Sequence, residues 1–348
     1  MKILGIESSA DETAAAVVED GTRLLSSTVA SSLDLHTFYG GIVPEIAARS
    51  HLESIIPVID QALTDADCSW DDIDAIAVTN RPGLIGSLLI GVLTARTLAI
   101  TKHKPLYGIN HVLAHMYANF ITHTNLPGYQ LDQNEPLFPA LGLIVSGGHT
   151  QLMLYKSHKN YNSLGQTKDD AVGEAFDKVA KILGLPYPGG PSVADAAKMG
   201  DPQAVKLPKA KLDSSYDFSF SGLKTAVLRA AQTMAGKDFT FPSTELPGAL
   251  TDKQKSDIAA SFQMTAVQTL ADAVAAAEIE YRPKNILLAG GVAANSALRE
   301  VLSARRTAPL LYPDIKLCTD NAAMIASAAY YWQQQPDNPY KLSVIPSL

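Results

Sequence analysis

The chain opens in the same way twice. Lys2–Glu7 reads as a strand, Ser8–Glu12 as a polar turn and Thr13–Glu19 as a second strand, with a third near Leu24–Ser31. Ala140–Val145, the turn Ser146-Gly-Gly-His149, Thr150–Lys156 and Tyr161–Gln166 repeat that series. A strand, polar turn, strand, strand unit at the head of each half points to internal duplication. Behind each unit helices and strands alternate, the pattern of α/β layers. In the first half Pro44 opens a helix striped by Ile46, Ile55, Ile56, Ile59 and Leu63, and Asp74–Thr79 reads as a buried strand. Ser87–Thr101 is an apolar helix, and strand Pro105–Ile109 feeds directly into Asn110–Met116. The second half holds helix Gly173–Leu183, the loop Pro186–Pro191, a long helix Asp252–Glu280 and strand Asn285–Ala289. Helix Asn295–Arg305 follows, and a helix of small residues runs from Ala322 towards Tyr331. Thr122–Pro136 has no periodicity and reads as a linker. The expected lobes are 1–130 and 131–320, with a C-terminal helix within 321–348 packing back on the first.

Composition narrows the function classes. A chain of 348 residues supports two cores, and 47% apolar with 18% charged residues is ordinary for a globular protein. The apolar start is interrupted by Glu7, so no secretory leader is expected. Leu84–Ile100 carries Arg96 and reads as a buried helix rather than a membrane span. Cys68 and Cys318 form neither a disulfide framework nor a zinc spacing, and a cytoplasmic place is expected. The net charge of −7 argues against unaided, non-specific nucleic-acid binding but leaves room for a local basic surface.

His111 and His115 stand four apart, so a helix brings both imidazoles to one face, where two nitrogens can converge on a metal. Asn110 is the plausible N-cap. On its own the pair reads equally as two helix histidines with no shared task. Asp320 is open to two readings as well: a helix N-cap, or the carboxylate that completes a 2-His-1-carboxylate set with open positions for substrate. A protease would need H-E-x-x-H, but Val112 follows His111, so the general base is missing and proteolysis is not expected. Val145-Ser-Gly-Gly-His-Thr150 and Leu288-Ala-Gly-Gly-Val-Ala-Ala-Asn295 let backbone approach a phosphate or a flat base closely, or they are ordinary glycine turns. Two such loops in one chain favour a nucleotide. Asp11 and Glu12, in the first turn, can hold a metal, a water or an amine proton. Asp177 lies on a helix beside the core residues Phe176 and Val179, where a salt bridge is the alternative.

These pieces together resemble the catalytic subunit of the tRNA N6-adenosine threonylcarbamoyltransferase family (TsaD, bacterial type), once called a sialoglycoprotease. The resemblance is carried by Gly5-Ile-Glu-Ser-Ser-Ala-Asp-Glu-Thr13, Asn110-His…His115, Ile144–Gln151 and Asp170…Lys178. Tyr187-Pro-Gly-Gly-Pro191, Phe218–Thr225, Gly290–Asn295 and Cys318–Ala326 follow in family order. It implies an actin/Hsp70/sugar-kinase (ASKHA) fold, two duplicated α/β lobes around a nucleotide-binding cleft. It also implies transfer of a threonylcarbamoyl group from threonylcarbamoyl-adenylate to N6 of the adenosine just 3′ of the anticodon, in tRNAs reading codons that begin with A. The products are t6A and AMP. Carried over by motif, His111, His115 and Asp320 bind one divalent metal, Fe2+ or Zn2+. Ile144, Val145, Ser146, Gly147, Gly148, Asp177, Gly190 and Asn295 line the nucleotide and substrate site. Asp11 and Glu12 stand at the cleft edge as catalytic candidates, and the metal is expected to be held by both lobes. The resemblance further implies tRNA, a paralogous TsaB-type subunit and a TsaE-type ATPase as partners. Lys206, Lys209, Lys211, Arg305 and Arg306 are candidates for gripping RNA.

Three positions depart from the family pattern. Ala10 stands where Cys is common, Leu113 where a Glu is frequent, and Ala194 where many relatives carry an acid. The competing readings are a nucleotide-dependent small-molecule kinase of the same fold and a non-catalytic scaffold.

Overall fold

The computed structural model describes residues 1–348 except 38, 40, 333, 334 and 348. The chain forms two compact units, Met1–Pro136 with Leu311–Leu348, and Leu137–Leu310. Asp320 therefore belongs to the same unit as the two histidines, so these three candidate ligands do not come from both lobes as expected. Residues 333, 334 and 348 of the expected C-terminal return lie outside the described residues.

The first unit is built on a six-stranded sheet: β1 (Lys2–Glu7), β2 (Glu12–Glu19), β3 (Arg23–Ser31), β4 (Ala75–Arg81), β5 (Leu106–Asn110) and β6 (His123–Thr124), in the order β5-β4-β1-β2-β3-β6. The pairs β1/β2 and β2/β3 are antiparallel, whereas β1/β4 and β4/β5 are parallel. The segment expected to be a plain linker thus begins with a short strand beside β3. Helices α1 (Leu33–Thr37), α2 (Pro44–Asp65), α3 (Ile85–Thr101) and α4 (His111–Ala114) follow the strands. Pro44 starts α2 because its missing N–H falls where a helix has no partner for it.

The second sheet repeats the plan. Its strands are β7 (Ala140–Val145), β8 (Thr150–Ser157), β9 (Asn160–Gln166), β10 (Asn285–Ala289) and β11 (Leu310–Leu311), ordered β11-β10-β7-β8-β9. Again the opening hairpins are antiparallel, and the strand on the other side of the first one is parallel. Its helices are α5 (Val172–Leu183), α6 (Gly189–Ala197), α7 (Ser221–Met234), α8 (Leu246–Ala249), α9 (Asp252–Tyr281) and α10 (Ser296–Arg305). A capping box between Thr251 and Gln254 starts the thirty-residue α9. Helix α6 begins inside the expected loop Pro186–Pro191.

The chain then returns to the first unit as α11 (Ala322–Trp332). Helix α2 packs on β2, and α11 packs on β1 and β2, so central β2 is buried on both faces. That is why it reads Ala-Ala-Ala-Val-Val rather than alternating. Small residues bring α11 close: a Cβ on Gly5 would lie 2.2 Å from the Ala322 carbonyl oxygen. Leu4, Ile6, Ile59, Ile76 and Val92 fill the core between sheet and helices, each contributing roughly 1.5–3 kcal/mol by leaving water.

Candidate functional site

Strand β5 ends at Asn110, whose side chain accepts from the Leu113 N–H and caps the four-residue α4. A 3-10 turn, His115–Phe120, continues it. The expected helix is therefore short and buried except at half-buried Leu113, yet the four-residue spacing is kept, with the His115 N–H bonded to the His111 carbonyl. The imidazole centroids lie 4.7 Å apart, edge to face. Asp320 Oδ1 faces both rings, 3.4 Å from His111 Nε2 and 3.6 Å from His115 Nε2. Two ligands each about 2.1 Å from one ion stand roughly 3–3.5 Å apart, so two nitrogens and one oxygen at these separations fit a single cation. The donor atoms of all three residues lie within 4.8 Å of one another.

The capping task falls to the neighbour of Asp320. Asn321 Oδ1 accepts from the Met324 N–H (2.9 Å) and caps α11. The N-cap reading of Asp320 is set aside on that geometry.

Glu7, fully buried at the end of β1, stands behind His111. Its Oε2 lies 3.0 Å from His111 Nδ1, its Oε1 accepts from the Ser9 N–H at 2.6 Å, and Thr79 donates its hydroxyl to it. A carboxylate at Nδ1 would leave Nε2, on the Asp320 side, for a metal, the usual support of a metal-bound imidazole. Burial alone would raise the Glu7 pKa, but the charge and hydrogen bond of His111 outweigh it and hold the carboxyl below its usual range. Burial opposes charge on His111 too, yet Asp320 and Glu7 raise its pKa well above the ordinary value. Burial and then Asp320 raise Asp11; burial, Asp320, Asp11 and Glu7 push Glu12 up to about 8. Four carboxylates crowd two imidazoles. Such a site demands positive charge, as bound protons or as a metal ion.

The turn that carries Asp11 and Glu12 is held from several sides. His51, buried in α2, lies 3.0 Å from the Ala10 carbonyl through Nε2 and 2.8 Å from Thr13 Oγ1 through Nδ1. Ser87 donates to the same Ala10 carbonyl, and Ser32 donates to the Asp11 carbonyl from both N–H and hydroxyl. Glu12 is itself the first residue of β2. Sequence reading passed over Glu7 and His51. A charge closing an otherwise apolar strand was the one available signal for Glu7.

In the second unit the two glycine loops leave the C-terminal ends of the adjacent parallel strands β7 and β10, the ordinary place for ligands in such sheets. Gly290, at φ 93°, backs onto Val145, where a Cβ would lie 2.4 Å from the carbonyl oxygen. Ile144 and Val145 are buried in β7; Gly147 and Gly148 are exposed, with open space where a Cβ would be. Gly190, in the first turn of α6, has the same open space. Asp177 accepts from the Gly189 N–H at 2.7 Å and so steadies that turn, while burial raises its pKa. Asn295 accepts from the Leu298 N–H as the cap of α10 and donates to Gln263. Its capping role is thus visible. His111, His115, Asp320, Asp11 and Glu12 cluster in the first unit; Ile144–Gly148, Asp177, Gly190 and Asn295 belong to the second.

A family model described as tRNA N6-adenosine threonylcarbamoyltransferase matches residues 23–327. A Thermomicrobium roseum protein of that name is 52% identical over 344 residues, covering 96% of this chain and 93% of that protein. The Symbiobacterium thermophilum protein of the same name is 50% identical, covering 99% and 96%. Among solved structures, HypF from T. kodakarensis superposes with a TM-score of 0.60 at 14% identity, over 94% of this chain and 47% of that one. Component A of Acidaminococcus fermentans (R)-2-hydroxyglutaryl-CoA dehydratase gives 0.50 at 16% identity, over 95% and 98%. At such identities these structures speak to the ASKHA-type fold alone.

Proposed function

This chain belongs to the tRNA N6-adenosine threonylcarbamoyltransferase family, and from that premise we propose how its residues divide the work. It is an acyltransferase that carries a threonylcarbamoyl group to tRNA. The relatives do not favour the small-molecule kinase alternative.

The observation that carries the assignment of the site is the convergence of His111, His115 and Asp320 with Glu7 behind them. These three residues would hold one divalent ion, Fe2+ or Zn2+. Bound there, the ion supplies a Lewis acid and an anchor for phosphate or carbonyl oxygen. Glu7 keeps the His111 ring in the required tautomer. The donor is threonylcarbamoyl-adenylate. Exposed Gly147 and Gly148, with half-buried Gly190, give its nucleotide close access to backbone, Ile144, Val145 and Ser146 shape the loop, and Asp177 and Asn295 add polar contacts. In the transfer a C–N bond forms from adenosine N6 to the carbamoyl carbon, the carbon–oxygen bond to phosphate breaks, and AMP leaves. The N6 amine is a weak nucleophile, so positioning contributes heavily. Glu12 or Asp11 takes the proton that N6 releases.

A TsaB-type paralogue and a TsaE-type ATPase would complete the assembly. Support for a protein partner comes from two stripes of exposed apolar side chains, Leu52 and Ile56 on α2, and Ile85, Leu89 and Leu93 on α3. No helix among the described residues is long and apolar enough to cross a membrane. Cys68 and Cys318, neither of them in a disulfide, together with a tRNA substrate support action in the cytoplasm.

The test is a transfer assay with radiolabelled threonylcarbamoyl-adenylate and a tRNA transcript. Label on the tRNA with one AMP per transfer is the expected result, and His115→Ala should lose both metal and transfer. A His115→Ala protein that kept its metal and full activity would overturn the metal site.

A further inference from the structure

Residues 201–216 join α6 to α7 without regular secondary structure, yet they are tied to α9 along their length. The Asp201 N–H donates to Asp257 (2.7 Å), and the Ser261 hydroxyl donates to the Asp201 carbonyl (3.3 Å) while accepting from the Val205 N–H (3.1 Å). Lys209 pairs with Asp272, and the Tyr216 hydroxyl meets Glu280. Just before the segment, Gly200 backs onto the Ser256 carbonyl, where a Cβ would lie 2.0 Å away. The anchors advance in step along the helix. Asp257 and Asp272 are about 22 Å apart on α9 at 1.5 Å per residue. The stretch opens with a turn, the Ala204 N–H donating to the Asp201 carbonyl (3.2 Å), and residues 206–212 then run on without turn or bend.

The strap holds Lys206, Lys209 and Lys211 exposed in a row. Arg305, the last residue of α10, joins them, with Nη1 2.7 Å from the same Asp272. Arg306 does not, because its guanidinium donates to the Ala308 carbonyl. One carboxylate shared by Lys209 and Arg305 offsets one charge, so the row stays cationic even beside Asp213. The molecule as a whole is acidic, with a net charge of −7.

We propose that this row, Lys206, Lys209, Lys211 and Arg305, is a docking rail for the phosphodiester backbone of the acceptor tRNA. The proposal rests on the tRNA reading above and names where that RNA is gripped. A single solvated lysine attracts anions weakly. Four exposed cations gathered on one anchored segment, two of them held at Asp272, suit a partner whose own charges repeat, and releasing its counterions drives binding. Contacts of this kind position an RNA without reading its sequence, which suits an enzyme serving several tRNAs.

The experiment measures fluorescence anisotropy of a labelled tRNA transcript with the full chain across a salt series, alongside transfer kinetics. For K206Q/K209Q/K211Q/R305Q, tRNA affinity should fall at least tenfold near 100 mM salt. The slope of log K against log salt should flatten by about 0.7–0.9 per lost contact, two or three contacts in all. KM for tRNA should rise with kcat and metal content unchanged. Lys209→Glu alone should weaken binding more than Lys209→Gln, a ranking that loss of folding would not produce. Unchanged affinity and slope in the fourfold variant, with wild-type transfer intact, would overturn the rail and spare the tRNA reading. A wild-type protein that failed to modify tRNA would overturn both.

Discussion

A carboxylate shut off from solvent, Glu7, sits behind His111 and fixes which of its nitrogens can bind a cation. In the sequence it is only a charge that ends an apolar run, because its partners Thr79 and His111 come from other strands and turns. His111 and His115, by contrast, were legible from their spacing, since any helical turn brings positions four apart together. Replacing Glu7 with Gln keeps the shape and removes the charge that stabilises the liganded imidazole. Metal affinity, measured by competition with a chromophoric chelator, should weaken about 10–100-fold while the fold survives. Undiminished affinity would mean that Glu7 serves folding alone.

At the scale of elements, most strands and long helices could be read from periodicity, and boundaries moved by a residue or two. The exceptions share a cause. Helix α6 starts within an expected loop because Asp177, from α5, receives its first N–H. The histidine helix breaks into a short α-turn and a 3-10 turn, buried except at Leu113. At α11, sequence left Asp320 open as the cap; the bond from the Met324 N–H gives that task to Asn321. Asn321→Ala should cost about 1 kcal/mol of stability in a denaturant titration. Metal affinity should drop as well, because the cap sets the position of the preceding Asp320. A loss of stability with metal binding untouched would show that Asp320 is placed by other contacts.

At the scale of the whole molecule, the first unit is discontinuous: its sheet comes from the N-terminal part, and α11, with Asp320, from the far end of the chain. A chain ending at residue 310 should therefore hold no stoichiometric metal. Limited proteolysis should degrade its first unit, where loss of α11 bares β1 and β2, and leave a resistant fragment near 137–310. One metal per truncated chain, by elemental analysis, would contradict this. The sequence by itself determined the two repeated α/β units, the glycine turns and the histidine pair, because these depend on short-range periodicity and on the backbone freedom of glycine. Only the tertiary structure decided that Asp320 joins the first unit, that Glu7 and His51 stand behind the site, and that Lys209 and Arg305 meet at Asp272. Those pairings join residues far apart in the chain, and local pattern carries no record of which distant partner will satisfy a buried charge.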